Sequence, residues 1–224
     1  MGKRGPKPGF NARRRISEKW SANLAYAIGL IATDGCMASK VTLIDLTSKD
    51  REQLENFCKC VDVDFRITEK KGSNGKTYLR IQFKSVLFYR FLLSIGLTPA
   101  KSKTLGELKV PDEYFFDFLR GVFDGDGSFY SYWDPRWRSS FMFYISITSA
   151  SPVFIEWLRR KLSLLLGVGG HVSMDGRRIT KQLKYAKRES LIILRRMYKD
   201  PNCIHLSRKR LKIERTMRII GETV

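Results

Sequence analysis

The chain has 224 residues, enough for one large domain or two small ones with a substantial core. Its net charge is +20, with a hydrophobic fraction of 43% and an aromatic fraction of 12%, so a globular fold with a polyanionic partner is the first expectation. No apolar run approaches the roughly 18 residues of a membrane span and the N-terminus lacks a signal-peptide core, which leaves a soluble, intracellular protein.

Residues 1–19 form the first unit. Lys3, Arg4, Lys7, Arg13, Arg14, Arg15 and Lys19 stand against a single Glu18, and Gly2, Gly5, Pro6, Pro8 and Gly9 disfavour a helix. This is a flexible basic arm, either a clamp on phosphates or a solubilising tail. A first half follows over residues 20–96. Ser17 or Ser21 caps an apolar helix that ends at Asp34-Gly35, and strands run from Cys36 to Thr47. A helix then spans about Asp50 to Val61, and a hairpin turns at Gly72-Ser73-Asn74-Gly75. A helix of about Ser85 to Ile95 stops at Gly96. Residues 97–112 link the halves, with Pro99, Gly106, Pro111 and two loop lysines, Lys101 and Lys103.

The second half, residues 113–224, repeats that order. An apolar helix reaches Asp126-Gly127, strands lie between Ser128 and Ser149, and a helix covers about Pro152 to Leu166. A hairpin turns near Asp175-Gly176, a helix covers about Lys187 to Tyr198, and a last basic helix covers about Ser207 to Ile219. Two terminal acids 92 residues apart in a chain of 224 indicate a duplication. Small residues four apart, Ala25, Gly29 and Thr33 in one copy and Gly121 and Gly125 in the other, let the two helices pack closely. About ten extra residues after the second copy hold Tyr130, Tyr132, Trp133, Arg136, Trp137 and Arg138, which suit either sugar, phosphate and base-stacking contacts or anchorage of a longer hairpin. Cys36, Cys58, Cys60 and Cys203 form neither a disulfide framework nor a zinc spacing.

The two motif copies, Gly29, Leu30, Ile31, Asp34 and Gly35 in the first and Leu119, Gly121, Asp124, Asp126 and Gly127 in the second, resemble those of the LAGLIDADG homing endonucleases in their single-chain form. The resemblance covers residues 20–220. It implies an α+β fold of two αββαββα halves related by a pseudo-twofold axis, with antiparallel sheets forming a saddle over DNA.

Alternation gives the first hairpin one polar, cationic face, and the second hairpin carries a similar set of residues, interleaved less cleanly. The first set is Arg66, Thr68, Lys70, Tyr78, Arg80, Gln82 and Lys84, and the second is Arg177, Arg178, Thr180, Gln182 and Lys184. These side chains suit base edges in the major groove of double-stranded DNA. Asp34 and Asp126 end their helices where the macrodipole is negative, and a convergent pair of acids in so basic a protein points to a divalent cation. Oxygen ligands favour Mg²⁺, with Mn²⁺ as a substitute and Ca²⁺ binding without supporting cleavage. Asp124 has Ala32 as its repeat partner and is read as structural.

The resemblance further implies basic and polar groups around the metals at Ser48, Lys84, Ser149 and Lys187, with Lys184 a rival to Lys187. The function expected is a monomeric, metal-dependent, site-specific DNA endonuclease with catalytic Asp34, Asp126, Lys84 and Lys187 and no obligate protein partner. With no flanking splicing domains, it reads as intron-encoded or free-standing rather than an intein. The alternative is a non-catalytic nucleic-acid binder of the same fold, an intron RNA maturase or a transcription regulator.

Overall fold

Two helices at the centre of the molecule bring the halves together. The computed structural model describes residues 15–72, 75–137, 139–174 and 180–224. Helix α1 (Ala22–Asp34) starts at Ser21, whose side chain accepts from the Leu24 amide, and is buried almost throughout from Leu24 to Ala32. Helix α4 (Phe115–Asp126) follows a 3-10 turn at Asp112–Tyr114 and is buried from Phe115 to Asp124, Asp117 excepted. A helix buried on nearly every side must be packed all round, and each of these two covers one face of the other. A Cβ on Gly29 would stand 2.3 Å from the Phe118 carbonyl oxygen, and one on Gly121 would stand 2.1 Å from that of Tyr26. Only glycine permits that backbone approach. The Tyr26 hydroxyl donates to Asp124 Oδ2 at 2.8 Å across this interface, and the Leu206 amide donates to the same oxygen at 2.8 Å. Asp124 is therefore a structural acid, as its mismatch with Ala32 suggests.

Around this pair each half builds one four-stranded antiparallel sheet. In the first, β1 (Gly35–Met37), β2 (Leu43–Ser48), β3 (Ile67–Lys71) and β4 (Thr77–Lys84) take the order β1-β2-β4-β3. In the second, β5 (Gly127–Trp133), β6 (Phe141–Ser149), β7 (His171–Met174) and β8 (Lys181–Tyr185) take the order β5-β6-β8-β7. Helices α2 (Arg51–Val61), α3 (Val86–Ser94), α5 (Pro152–Leu166) and α6 (Lys187–Met197) stand in equivalent places, and α7 (Ser207–Ile219) closes the chain without a repeat partner. The αββαββα order and the α+β class are as the repeat implied.

One face of each sheet is packed by helices. Ile44, Leu46, Ile81 and Phe83 point into that core, and so do Phe129, Phe143, Ile145, Ile147, Leu183 and Tyr185. The extra residues after the second motif lengthen β5 and β6. Within them Trp133 packs on Phe141 at 4.9 Å between ring centres, while Trp137 is exposed. Two connecting segments are packed against the core. Ile16, inside the basic arm, is buried in the core, and the linker is a packed connector with Leu97, Lys101, Leu105, Leu108 and Val110 all buried. Arm residues 1–14 and the turn residues Ser73, Asn74, Asp175 and Gly176 lie outside the described residues.

Candidate active site and nucleic-acid face

Asp34 and Asp126 are the last residues of α1 and α4, so the packing of those helices brings their carboxylates to one end of the interface. Asp34 accepts from Gln53 Nε2 at 2.6 Å, and Gln53 in turn accepts from the Ser48 hydroxyl at 2.7 Å. Burial raises the Asp34 pKa, while the Gln53 hydrogen bond and the charges of Lys209 and Lys101 pull it down. Asp126 opens onto a cleft of about 220 Å³ beside Lys101, Thr148, Ser149 and Thr180. Protein packed around its carboxyl, and after it the charge of Asp34, pushes its pKa up to about 6.

Each motif helix meets an ammonium at its negative end. Lys101 is 5% exposed and reaches the Thr33 carbonyl at 3.5 Å. Lys209, from α7, is 8% exposed and donates to the carbonyls of Phe123, Asp124 at 2.9 Å and Gly127 at 2.6 Å. Carbonyls left over at a helix C-terminus need such donors, and the macrodipole favours a cation there. Burial lowers the pKa of Lys101, and lowers that of Lys209 to about 8, against the pull of the nearby aspartates.

The lysines expected at this site lie elsewhere. Leu46 faces Gly35 and Ile81, and Ile147 faces Gly127 and Leu183. That register makes Ala186, not Lys187, the equivalent of Lys84, because a one-residue slip moves a side chain to the other face. Lys84 pairs with Leu43, three residues along β2 from Leu46 and so on the order of 10 Å from the acid end. Lys187 opens α6 and donates to the Phe141 carbonyl at 3.1 Å, at the far end of β6. Lys184 is the equivalent of Gln82, on the uncovered face, with its ammonium 4.4 Å from the Tyr144 ring centre and 5.0 Å from that of Tyr130. The cations that bear on the acids are thus Lys101 and Lys209. Lys101 is visible in the sequence as a linker lysine, whereas Lys209 and Gln53 give no signal there.

The uncovered faces carry most of the other expected residues. Thr68 pairs with Arg80 and Lys70 with Tyr78, with Gln82 in the next row. Asp45 stands among them as an acid that alternation of the hairpin alone does not expose. Gln182 faces Thr148, in the register place of Arg80, and Thr180 lies one residue before β8 at the cleft. Arg66 precedes β3 and lines a different cleft, beside Arg51 and Glu55 at the edge of α2. Arg136 is tied to Asp134 by its backbone amide at 2.9 Å and its guanidinium at 3.1 Å. Arg138, Arg177 and Arg178 lie outside the described residues. Among the described residues no cluster of three or more His, Cys, Asp or Glu could hold a metal, and no helix is long and apolar enough to cross a membrane.

No family model matches the chain. A stretch of 120 residues is 31% identical to part of an A-type ATP synthase protein of Methanopyrus kandleri. That stretch is 51% of this chain but spans only 11% of the relative. Solved structures match far more of it. The homing endonuclease I-WcaI bound to its DNA recognition sequence aligns with a TM-score of 0.60 at 14% identity, over 89% of this chain and 87% of that one. Full-length DUF199/WhiA from Thermatoga maritima aligns with a TM-score of 0.56 at 16% identity, over 92% and 63%. The homing endonuclease I-DmoI in complex with DNA and Ca aligns with a TM-score of 0.51 at 17% identity, over 80% and 90%. Identities this low speak for the fold alone, and together with the paired motif helices they establish that this chain has the LAGLIDADG fold.

Proposed function

We propose that the chain is a site-specific, metal-dependent endonuclease that lays duplex DNA along the uncovered faces of its two sheets and hydrolyses one phosphodiester on each strand. The observation that carries this reading is the meeting of Asp34 and Asp126 at the ends of two helices, close enough for one charge to raise the pKa of the other. Such a pair costs stability and gives a pure binder nothing. I-DmoI, on the same fold, has been solved with DNA and Ca, and a point variant of it with its target DNA in the presence of Mg.

The donor set fits a magnesium ion, which needs only one or two protein carboxylates when substrate phosphate and water supply the rest. Asp34 and Asp126 would hold it. When bound, it supplies an activated water and neutralises charge on the scissile phosphate and the leaving oxygen. Gln53 orients Asp34, and its hydrogen bond favours the charged form against the effect of burial. Lys101 and Lys209 offset negative charge around the reacting phosphate, and the buried interface beneath the acids keeps their spacing fixed.

The two sheets differ in sequence, so the target is an asymmetric duplex of about two helical turns, bound by a monomer with a steep loss of affinity as salt rises. One observation favours a second reading, a non-cleaving nucleic-acid binder of the same fold such as an intron RNA maturase or a transcription regulator. Lys101 and Lys209 offset part of the acids' charge without a metal. Strand-resolved cleavage of a duplex library in Mg²⁺ by wild type, Asp34→Asn and Asp126→Asn tests the proposal. Cleavage should fall by orders of magnitude in either variant, while duplex binding in metal-free buffer is kept. Near wild-type cutting of both strands by either variant removes that aspartate from the mechanism.

A further inference from the structure

One acid stands in the middle of the cations on the uncovered face of the first sheet. Asp45 lies on β2 opposite Gln82 and is 9% exposed. Its Oδ1 accepts from the Thr47 hydroxyl at 2.8 Å. Its Oδ2 gathers Arg80 Nη1 at 3.4 Å, Gln82 Nε2 at 3.4 Å and Lys70 Nζ at 3.7 Å. A carboxylate here weakens attraction to phosphate, and a recessed charge is tolerated only when donors surround it. Arg80 turns to Asp45 although, among the described residues, its own Nε–H is buried without a partner. The pose of the guanidinium is therefore set by Asp45 and not by its own hydrogen-bonding optimum. The second sheet solves the same register position differently. Ser146 stands there, hydrogen-bonded to Ser128 at 2.8 Å, and Lys184 turns over Tyr130 and Tyr144 instead.

We infer that Asp45 is a positioning residue for base recognition by the first half, tethering Arg80, Gln82 and Lys70 so that they discriminate bases rather than grip phosphate. The inference rests on DNA binding by the sheet faces and is independent of cleavage. A carboxylate only accepts, so Gln82 must give it the amide nitrogen and keep Oε1 for the face. That acceptor suits the exocyclic amino group of adenine or cytosine. Arg80 keeps its remaining donors for a guanine edge. Released from Asp45, Arg80 and Lys70 are long enough to reach backbone phosphates, which carry no sequence information directly.

The test uses the full chain in metal-free buffer, with Asp45→Ser copying the residue at the equivalent position and Asp45→Asn keeping an acceptor for Thr47. Duplexes randomised one position at a time are bound at several salt concentrations. Both variants should bind random duplex more tightly, with a salt slope steeper by about one for each phosphate gained. Preference at the positions read by the first half should fall about tenfold, and preference in the other half of the site should persist. Arg80→Ala should lower the same preference, and adding Asp45→Ser to it should change little more. Side-chain ¹⁵N relaxation should show Arg80 freed in either Asp45 variant before DNA is added. Unchanged base preferences with Arg80 as rigid as in wild type, or preferences lost evenly across both halves, would overturn the inference. A wild-type protein that selects no duplex overturns the DNA-binding reading as well, whereas selection left untouched by both variants overturns this inference alone. Thermal denaturation identifies a variant that has lost its fold, and the other variant then decides.

Discussion

Gln53 donates to Asp34 at 2.6 Å, and the residue at the same place in the second half, third in α5, is Phe154. The two acids of the pair therefore differ although their helices are repeats. Asp34 has a neutral donor that favours its charged form, while burial and Asp34 itself push Asp126 up to about 6.

Replacing Gln53 with Leu removes the hydrogen bond that lowers the Asp34 pKa, so that pKa rises further. If ionised Asp34 is needed for cleavage, the acid limb of the pH profile moves to higher pH. Single-turnover cleavage followed strand by strand should show the shift, with one strand slowed more than the other. A profile superimposable on wild type would dissociate Gln53 from the chemistry.

The raised pKa of Asp126 also makes a statement about folding. Its folded value is above its unfolded value, near 4, so the folded state binds this proton more tightly. The stability linked to it is complete below about 4 and is lost as pH rises through about 6. Asp126→Asn has no such loss. Calorimetry in metal-free buffer should find the variant more stable than wild type above pH 6, with the difference closing toward pH 4. Magnesium should raise the wild-type Tm at neutral pH and leave the variant less changed.

How much of this is legible in the sequence depends on the range of the contact. Strand alternation and capping residues report local structure well enough to place the seven α-helices of the described residues and the paired strands of both hairpins. The repeat of two acids behind apolar, small-residue helices is a local pattern too, and it leads to the site. Side chains arriving from elsewhere leave no trace. Lys209 reaches carbonyls more than 80 residues away, and Gln53 meets an acid 19 residues before it. Lys187 is misplaced by counting residues between repeats, which cannot resolve a slip of one, whereas the sheet register can. Asp45 reads from the sequence only as part of a strand, since its importance comes from cross-strand neighbours on β3 and β4.

The helix interface sets a graded expectation for glycine substitutions. Gly121→Ala would force its methyl within 2.1 Å of the Tyr26 backbone oxygen, and the two helices would have to separate. Gly125→Ala meets the Thr33 side chain, at 2.0 Å for Oγ1, which can turn away from its own carbonyl partners. Overpacking of this kind costs about 1–3 kcal/mol, with Gly121→Ala at the upper end or beyond it. Urea denaturation of both variants should give that order. Equal stability would mean that the helices are less tightly registered than their glycines indicate.

Lys209 and Lys101 separate stability from chemistry at the two helix ends. Lys209→Met would strand the carbonyls of Phe123, Asp124 and Gly127, and charged hydrogen bonds of this kind are worth about 1.5–3 kcal/mol each. Lys101 makes one long contact, at 3.5 Å to Thr33, so Lys101→Met should cost much less stability. Its charge nonetheless lowers the pKa of both Asp34 and Asp126, and for Asp126 it weighs more than that of Lys209. Removing a cation raises a carboxyl pKa, so Lys101→Met should move the acid limb of cleavage upward while the Tm stays near wild type. Lys209→Met should instead lower the Tm by many degrees, and Lys209→Arg should recover part of the loss. Thermal denaturation and pH profiles on the same preparations check both. A large Tm loss in Lys101→Met with none in Lys209→Met would reverse the roles assigned to the two ammoniums.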